Sequence, residues 1–446
     1  MPWVYFCEIV ILIVKKLIIF DIVGLSKKQY DQIKPQNISK ILENGSISSF
    51  NPSFPAVTCS VQASIFSGTY PSEHGIISNG YYDEILKNIS FWEQSSNLVN
   101  SPRIWDILKN NTLDFKSGLL FLQNSLYANS DVIITPKPIH LEDKMIMWCY
   151  SKPENFYEKI SESIGNFDLK SYWGPFSSIQ SSNWIINSAK KTIETHKPDL
   201  LIVYLPHLDY TSQKFGPDSD EFKESVMELD NLLGDFSLFL NQEFNDEYEI
   251  IILSEYTFNS VSKSISPNLI LRQAGLLSTR RIEGKDYIDY EFSKAFAMVD
   301  HQIAHIYINP GYEDEVYQIL KNKNLGIILD SKLQKELKIN HPKSGNLILC
   351  ANTDSWFNYY WWDDVKYAPD FTFSVDIHRK PGYDPLELFF DFKTKQISHD
   401  TSLIKGSHGL IPTDDNLPLI GTSFNSNLDK IVSAIDIKQL IMNFFK

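Results

Sequence analysis

The sequence predicts an α/β protein built on a mostly parallel central sheet. Two observations predict it. The runs Leu17–Phe20, Leu200–Leu205 and Ile250–Leu253 are short and wholly apolar, the pattern of strands buried on both faces. Amphipathic segments over 181–197 and 221–240 alternate with them, as crossover helices do.

The first run, Leu17-Ile18-Ile19-Phe20, ends in Asp21. A parallel strand that ends in a carboxylate presents it at the carboxyl edge of the sheet, where open α/β folds bind ligands. A turn carboxylate is the ordinary alternative. Val23-Gly24-Leu25 then leads into a helix capped by Ser26. Before this strand, Trp3 to Val14 is apolar except for Glu8. It is shorter than the roughly 20 residues a spanning helix needs. Residues 1–16 read as an N-terminal extension without a signal-peptide pattern.

The next stretch carries the chemistry. In Ser53-Phe54-Pro55-Ala56-Val57-Thr58, Pro55 keeps Phe54 extended. A short helix follows to Gly68, which suits a C-terminal stop. Thr58 then falls at the N-cap, beside free N–H groups and the positive end of the helix dipole. Such a hydroxyl is either a cap or a nucleophile next to a bound anion. Tyr70-Pro71, His74-Gly75-Ile76 and Asn79 follow.

The order of Phe54, Pro55, Thr58, Gly68, Tyr70, Pro71, His74, Gly75, Ile76 and Asn79 resembles the type I phosphodiesterase/nucleotide pyrophosphatase branch of the alkaline phosphatase superfamily. The resemblance implies a three-layer fold with helices on both faces of the sheet and a smaller β-rich insertion, about 275–395. It implies one catalytic domain over 17–446, with Thr58 as nucleophile and Asn79 on a phosphate oxygen. It makes Asp21 a metal ligand.

Three further segments carry the same resemblance. In Pro206-His207-Leu208-Asp209-Tyr210-Thr211-Ser212-Gln213, Asp209 matches a metal ligand, while Gln213 stands where the family has histidine. His207 is either a substitute ligand or a polar turn residue. Ser254-Glu255-Tyr256 stands where the family has adjacent Asp and His on the second metal. Gly406-Ser407-His408-Gly409 matches the segment that supplies the last histidine to the first metal. Asp376-Ile377-His378 reads as a strand that turns both polar side chains to one face, so both are candidate site residues beside Lys380 and Asp384.

In that family two metal ions about 3.5–4 Å apart clamp the phosphate and activate the nucleophile. The resemblance therefore implies one or two divalent ions, zinc, or manganese or magnesium given the extra oxygen donors. Three arrangements remain open. The two-metal site is altered; or one metal remains, with Tyr256, Arg379 or Lys380 supplying charge; or there is no metal and no hydrolysis. The implied activity is hydrolysis of a phosphodiester, pyrophosphate or related small molecule. The alternative is a non-catalytic protein that binds a phosphorylated ligand.

Charge and cysteines bound the rest. With 41 basic and 55 acidic residues the net charge is −14, which argues against a nucleic-acid polymer as partner. The four cysteines, Cys7, Cys59, Cys149 and Cys350, form no CxxC pair. Reduced thiols and a cytoplasmic location are the expectation.

Overall fold

A computed structural model describes residues 16–141, 145–244 and 247–446. The expected extension over 1–16 lies outside the described residues but for Lys16. The central sheet has nine strands: Lys16–Ile22 (β1), Ser46–Asn51 (β2), Ser117–Leu120 (β3), Val132–Pro136 (β4), Cys149–Lys152 (β5), Leu200–Leu205 (β6), Tyr248–Leu253 (β7), Leu419–Thr422 (β8) and Ile431–Ser433 (β9). Their order is β9-β2-β8-β7-β1-β6-β3-β4-β5.

The five strands β7-β1-β6-β3-β4 are parallel to one another. β8 runs antiparallel to β7 and to β2, and β5 antiparallel to β4. This is the α/β fold with a mostly parallel sheet that the apolar runs predict.

Alternate residues of each inner strand feed opposite layers, because successive side chains of a strand point to opposite faces. Ile18, Phe20, Leu201, Val203, Ile250 and Ile252 pack against helices Ile179–His196 and Asp220–Phe244 on one face. Leu17, Ile19, Leu200, Ile202, Ile251 and Leu253 pack against helices Thr58–Ser67, Ile104–Asn111 and Ile437–Phe444 on the other. Two helical layers thus enclose one sheet.

A third core cluster is built mainly from the segment between β7 and β8, joined by Phe54, Ile77, Ile89 and Phe91. Its centre is a four-stranded antiparallel sheet, Ala295–Asp300, Ile303–Ile308, Leu347–Ala351 and Gly326–Leu329 in spatial order 295–300, 303–308, 347–351, 326–329. The hairpin joining its first two strands turns at His301, which adopts a left-handed φ of 59°.

Register sets the position of the site. Asp21 pairs with Tyr204 on β6 and with Leu253 on β7 at the carboxyl ends of all three strands. The chain leaves β6 into Pro206–Asp209 and leaves β7 into Ser254–Tyr256, so these side chains converge on one sheet edge.

Candidate active site

Thr58 is the first residue of the helix Thr58–Ser67, and Val57 occupies the N-cap. The expected cap role is therefore filled one residue earlier, by an extended backbone without a side-chain bond. This frees the Thr58 hydroxyl, whose Oγ1 lies 3.0 Å from the Tyr256 hydroxyl. The Tyr256 hydroxyl also donates to Asp209 Oδ1 over 3.2 Å. Gln213, one turn after Asp209 on the helix His207–Phe215, donates its amide to Asp209 Oδ2 over 2.6 Å. The Gln213 carbonyl accepts from the Tyr383 hydroxyl at 2.7 Å. That bond fixes which end of the amide faces Asp209.

His408 closes the same group. Its Nδ1–H donates to the Ala56 carbonyl at 2.8 Å, so Nε2 carries the free lone pair. Nε2 lies 3.9 Å from Asp209 Oδ1. The Tyr256 ring stacks on this imidazole, 3.8 Å between centroids at 6°. Burial pushes Asp209 up to about 6, against the pull of His301, Tyr256 and Gln213. Burial and the charge of His301 drive His408 well below its usual range and keep it neutral.

Asp21 and Glu255 form the second half of the site. Both are fully buried side by side, and Asp21 Oδ1 and Glu255 Oε2 have no hydrogen-bond partner among the described residues. Gln62, one turn after Thr58, donates its amide to Asp21 Oδ2 over 3.2 Å and to Glu255 Oε1. Its carbonyl accepts the Gln123 N–H at 2.8 Å, which holds the amide nitrogen towards the carboxyls. Burial pushes Asp21 up to about 7, and burial with the Asp21 charge beside it raises Glu255 further from its usual range.

Asn79 braces the helix Thr58–Ser67. Its carbonyl accepts the Cys59 N–H at 2.9 Å, and its amide donates to Asp300 Oδ1 over 3.2 Å. Asp300 also accepts from Ser78 Oγ at 2.5 Å, the Asn79 N–H at 2.9 Å and His301 Nδ1 at 2.7 Å. Despite complete burial these donors hold the Asp300 carboxyl below its usual range. His301 in turn stacks on Tyr383 at 3.6 Å and leans on His408 at 3.8 Å.

Thr58, Asp209, Tyr256, His301 and His408 line one cavity of about 460 Å³. Its outer wall is apolar, with Trp92, Phe121, Met147, Trp173, Phe176 and Phe390, and Lys170 is its one lysine or arginine among the described residues.

Several expected site residues take other places or other roles. His207 is buried against Glu228 of the helix Asp220–Phe244, with Nε2 2.9 Å from the carboxylate. It therefore acts as a packed polar residue. Asp376 and His378 do not lie on a strand; the segment is a turn at the cavity rim, and Asp376 is tied to the backbone and guanidinium of exposed Arg379. Lys380 is buried in contact with Asp384 at 2.8 Å and Glu387 at 2.6 Å, so it supplies no charge to the reaction centre.

Gln62, Asp300, His301 and Tyr383 escape the sequence reading. Gln62 had a signal: four residues after Thr58 in a helix places it on the same face. The other three come from the segment 295–384, where no sequence neighbour ties them to Thr58.

The model of the type I phosphodiesterase/nucleotide pyrophosphatase family matches residues 17–384. The chain belongs to this family. An uncharacterised pyrophosphatase/phosphodiesterase of Schizosaccharomyces pombe is 25% identical over 229 residues, 51% of this chain and 41% of that protein. Venom phosphodiesterase 2 of Crotalus adamanteus is 25% identical over 255 residues, 55% of this chain and 27% of that protein. The chain thus spans less than half the length of these curated relatives. Among solved structures, phosphonoacetate hydrolase of Sinorhizobium meliloti in complex with phosphonoformate matches with a TM-score of 0.64 at 11% identity, over 97% of this chain and 96% of that one. Murine ectonucleotide pyrophosphatase/phosphodiesterase 5, an inactive form in complex with AMP, matches with a TM-score of 0.62 at 14% identity, over 97% and 95%. Both share the alkaline phosphatase-like fold that the motif order implies.

The donor set of this family member does not fit a pair of zinc ions. Of the histidines that the resemblance implies, only His408 is present. Gln213 turns an N–H, not its oxygen, towards Asp209. Tyr256 offers, in place of an imidazole nitrogen, a hydroxyl already bonded to Thr58 and Asp209. Among the described residues no group of three or more His, Cys, Asp or Glu side chains is arranged to hold a metal ion.

Proposed function

We propose that the protein hydrolyses a phosphodiester or related phosphorus-containing small molecule, with Thr58 as nucleophile. One observation carries the reading. A hydroxyl at the start of a helix, facing a cavity, is bonded to a tyrosine that is itself bonded to a buried carboxylate.

The steps balance with one solvent water as the co-reactant. Thr58 Oγ1 attacks phosphorus as the bond to the leaving alkoxide breaks. The Thr58 proton passes to the Tyr256 oxygen, and Tyr256 gives its own to Asp209. The alkoxide takes a proton from solvent water, and the hydroxide left behind attacks the threonyl phosphodiester. The Thr58 oxygen departs and recovers its proton from Asp209 through Tyr256. The positive end of the helix dipole favours the anionic phosphoryl oxygens throughout. The spare N–H of the Asn79 amide is the side-chain donor that the resemblance assigns to one of them.

The cavity bears on the substrate. An apolar wall with one lysine suits a diester of low charge whose leaving alcohol is aryl or alkyl. A substrate with several phosphates would leave negative charge without cationic partners there.

Thr58→Ala tests the reading. Turnover of bis(4-nitrophenyl) phosphate should fall by about a thousandfold or more, with an unchanged circular dichroism spectrum. Unchanged turnover would refute the Thr58 role, and no turnover by the wild type would leave the non-catalytic ligand-binding alternative.

A further inference from the structure

Each carboxylate that the family resemblance assigns to a metal is met here by a neutral hydrogen-bond donor. Asp209 receives the Tyr256 hydroxyl on Oδ1 and the Gln213 amide on Oδ2. Asp21 and Glu255 share the Gln62 amide. Both amides are locked in that orientation from behind, Gln213 by the Tyr383 hydroxyl and Gln62 by the Gln123 N–H. Rotating either amide to offer its oxygen would strip a buried donor of its acceptor and set that oxygen against a carboxylate.

The arrangement is consistent across the two halves. Tyr256 and Gln213 stand at the two positions where the resemblance calls for imidazole. The Tyr256 ring covers one face of His408, and its hydroxyl joins Thr58 to Asp209. An ion bound between Thr58 and Asp209 would compete with that hydroxyl for both oxygens.

We propose that the Tyr256 hydroxyl and the amides of Gln62 and Gln213 take the places of the two ions, and that Thr58 is activated through Tyr256 without a bound metal. A phenol and two amides supply less positive charge than two dications. A slow hydrolase that tolerates chelators is the consequence. The activity part rests on the Thr58 reading above; the ion content does not.

The deciding measurement is metal content by inductively coupled plasma mass spectrometry. The full-length protein is incubated with zinc, manganese and magnesium, then dialysed. Less than about 0.1 equivalent of each ion is expected, and one equivalent or more of any would overturn the proposal. Turnover of bis(4-nitrophenyl) phosphate should stay within about twofold after treatment with EDTA. Loss on chelation with recovery on adding zinc or manganese would also overturn it. Tyr256→Phe should lower kcat by about a hundredfold or more with the melting temperature retained; unchanged kcat would refute the Tyr256 route. Failure of Thr58→Ala to lower turnover would defeat the Thr58 nucleophile reading and leave the metal count standing. If the protein turns over no diester, the metal count alone decides.

Discussion

The Thr58 and Tyr256 hydroxyls lie 3.0 Å apart, although 198 residues separate them in the chain. The contact exists because β7 ends beside β1, and the helix carrying Thr58 packs on the same sheet. It makes the hydroxyl, and not the shape of the threonine, the feature that matters. Thr58→Ser should therefore retain turnover within about a hundredfold of wild type, losing only the rotamer restriction that the γ-methyl gives. Thr58→Val, which keeps the shape and removes the oxygen, should fall to the level of Thr58→Ala. Steady-state kcat on an aryl diester for the three variants checks the ranking.

A second prediction concerns the cavity wall. Trp173 lines the cavity and donates its indole N–H to Glu387 at 2.6 Å, so its ring is held in place. Trp173→Ala should raise KM for an aryl or alkyl diester by about tenfold or more, from the loss of buried apolar contact. The kcat should change much less, because Trp173 does not touch Thr58 through any bond. Comparing a bis-aryl diester with a nucleotide substrate tests the charge argument: wild-type kcat/KM should be higher for the diester.

What the sequence reveals follows the range of the forces involved. The strand ends bearing Asp21, Asp209 and Glu255 are legible because a buried parallel strand is an unbroken apolar run and its polar stop is conspicuous. Thr58 is placed within one residue, although Val57 takes the cap. Asp376 and His378 do line the cavity, but the strand expected there misleads because alternation over three residues is too short a pattern. The Asp376 carboxylate bonds the Arg379 backbone and side chain instead, and local bonding of this kind competes with a strand. Asp300 and His301 are invisible for a different reason. Their role depends on a hairpin of the inserted sheet reaching Asn79 and His408, a long-range packing event that no local pattern encodes.

That hairpin yields a third prediction. Asp300 is fully buried and accepts bonds from Ser78, the Asn79 backbone and side chain, and His301. Asp300→Ala would leave these donors buried without an acceptor. Unfolding free energy should drop by about 3–5 kcal/mol, the range for breaking a buried ionic network. Asp300→Asn keeps a carbonyl oxygen and should lose less. Urea denaturation followed by tryptophan fluorescence measures both. Turnover at a temperature where the variants remain folded should also fall, because Asn79 no longer has its anchor beside the nucleophile helix.

The last prediction uses a histidine outside the reaction centre. His74 is buried, accepts the Ile76 N–H on Nδ1 at 3.1 Å and bonds Ser64 through Nε2 at 2.9 Å. Burial, with a smaller push from His341, lowers it to about 3 from its usual 6.5. Between those values the unfolded chain binds a proton that the folded one refuses, so the contribution of His74 to stability falls as pH drops. The loss approaches about 1.4 kcal/mol per pH unit and ends once the folded state is protonated near pH 3. Asp21, pushed up by burial to about 7, acts in the opposite direction over much of this range, because there the folded state holds the extra proton. The wild-type curve alone therefore mixes the two. His74→Gln offers an acceptor and a donor in the same place without titrating. The stability of wild type relative to His74→Gln should decline by roughly 2 kcal/mol or more between pH 6.5 and pH 4.5. Urea midpoints for both proteins across that interval measure it, and parallel curves would show that His74 is not held neutral in the fold.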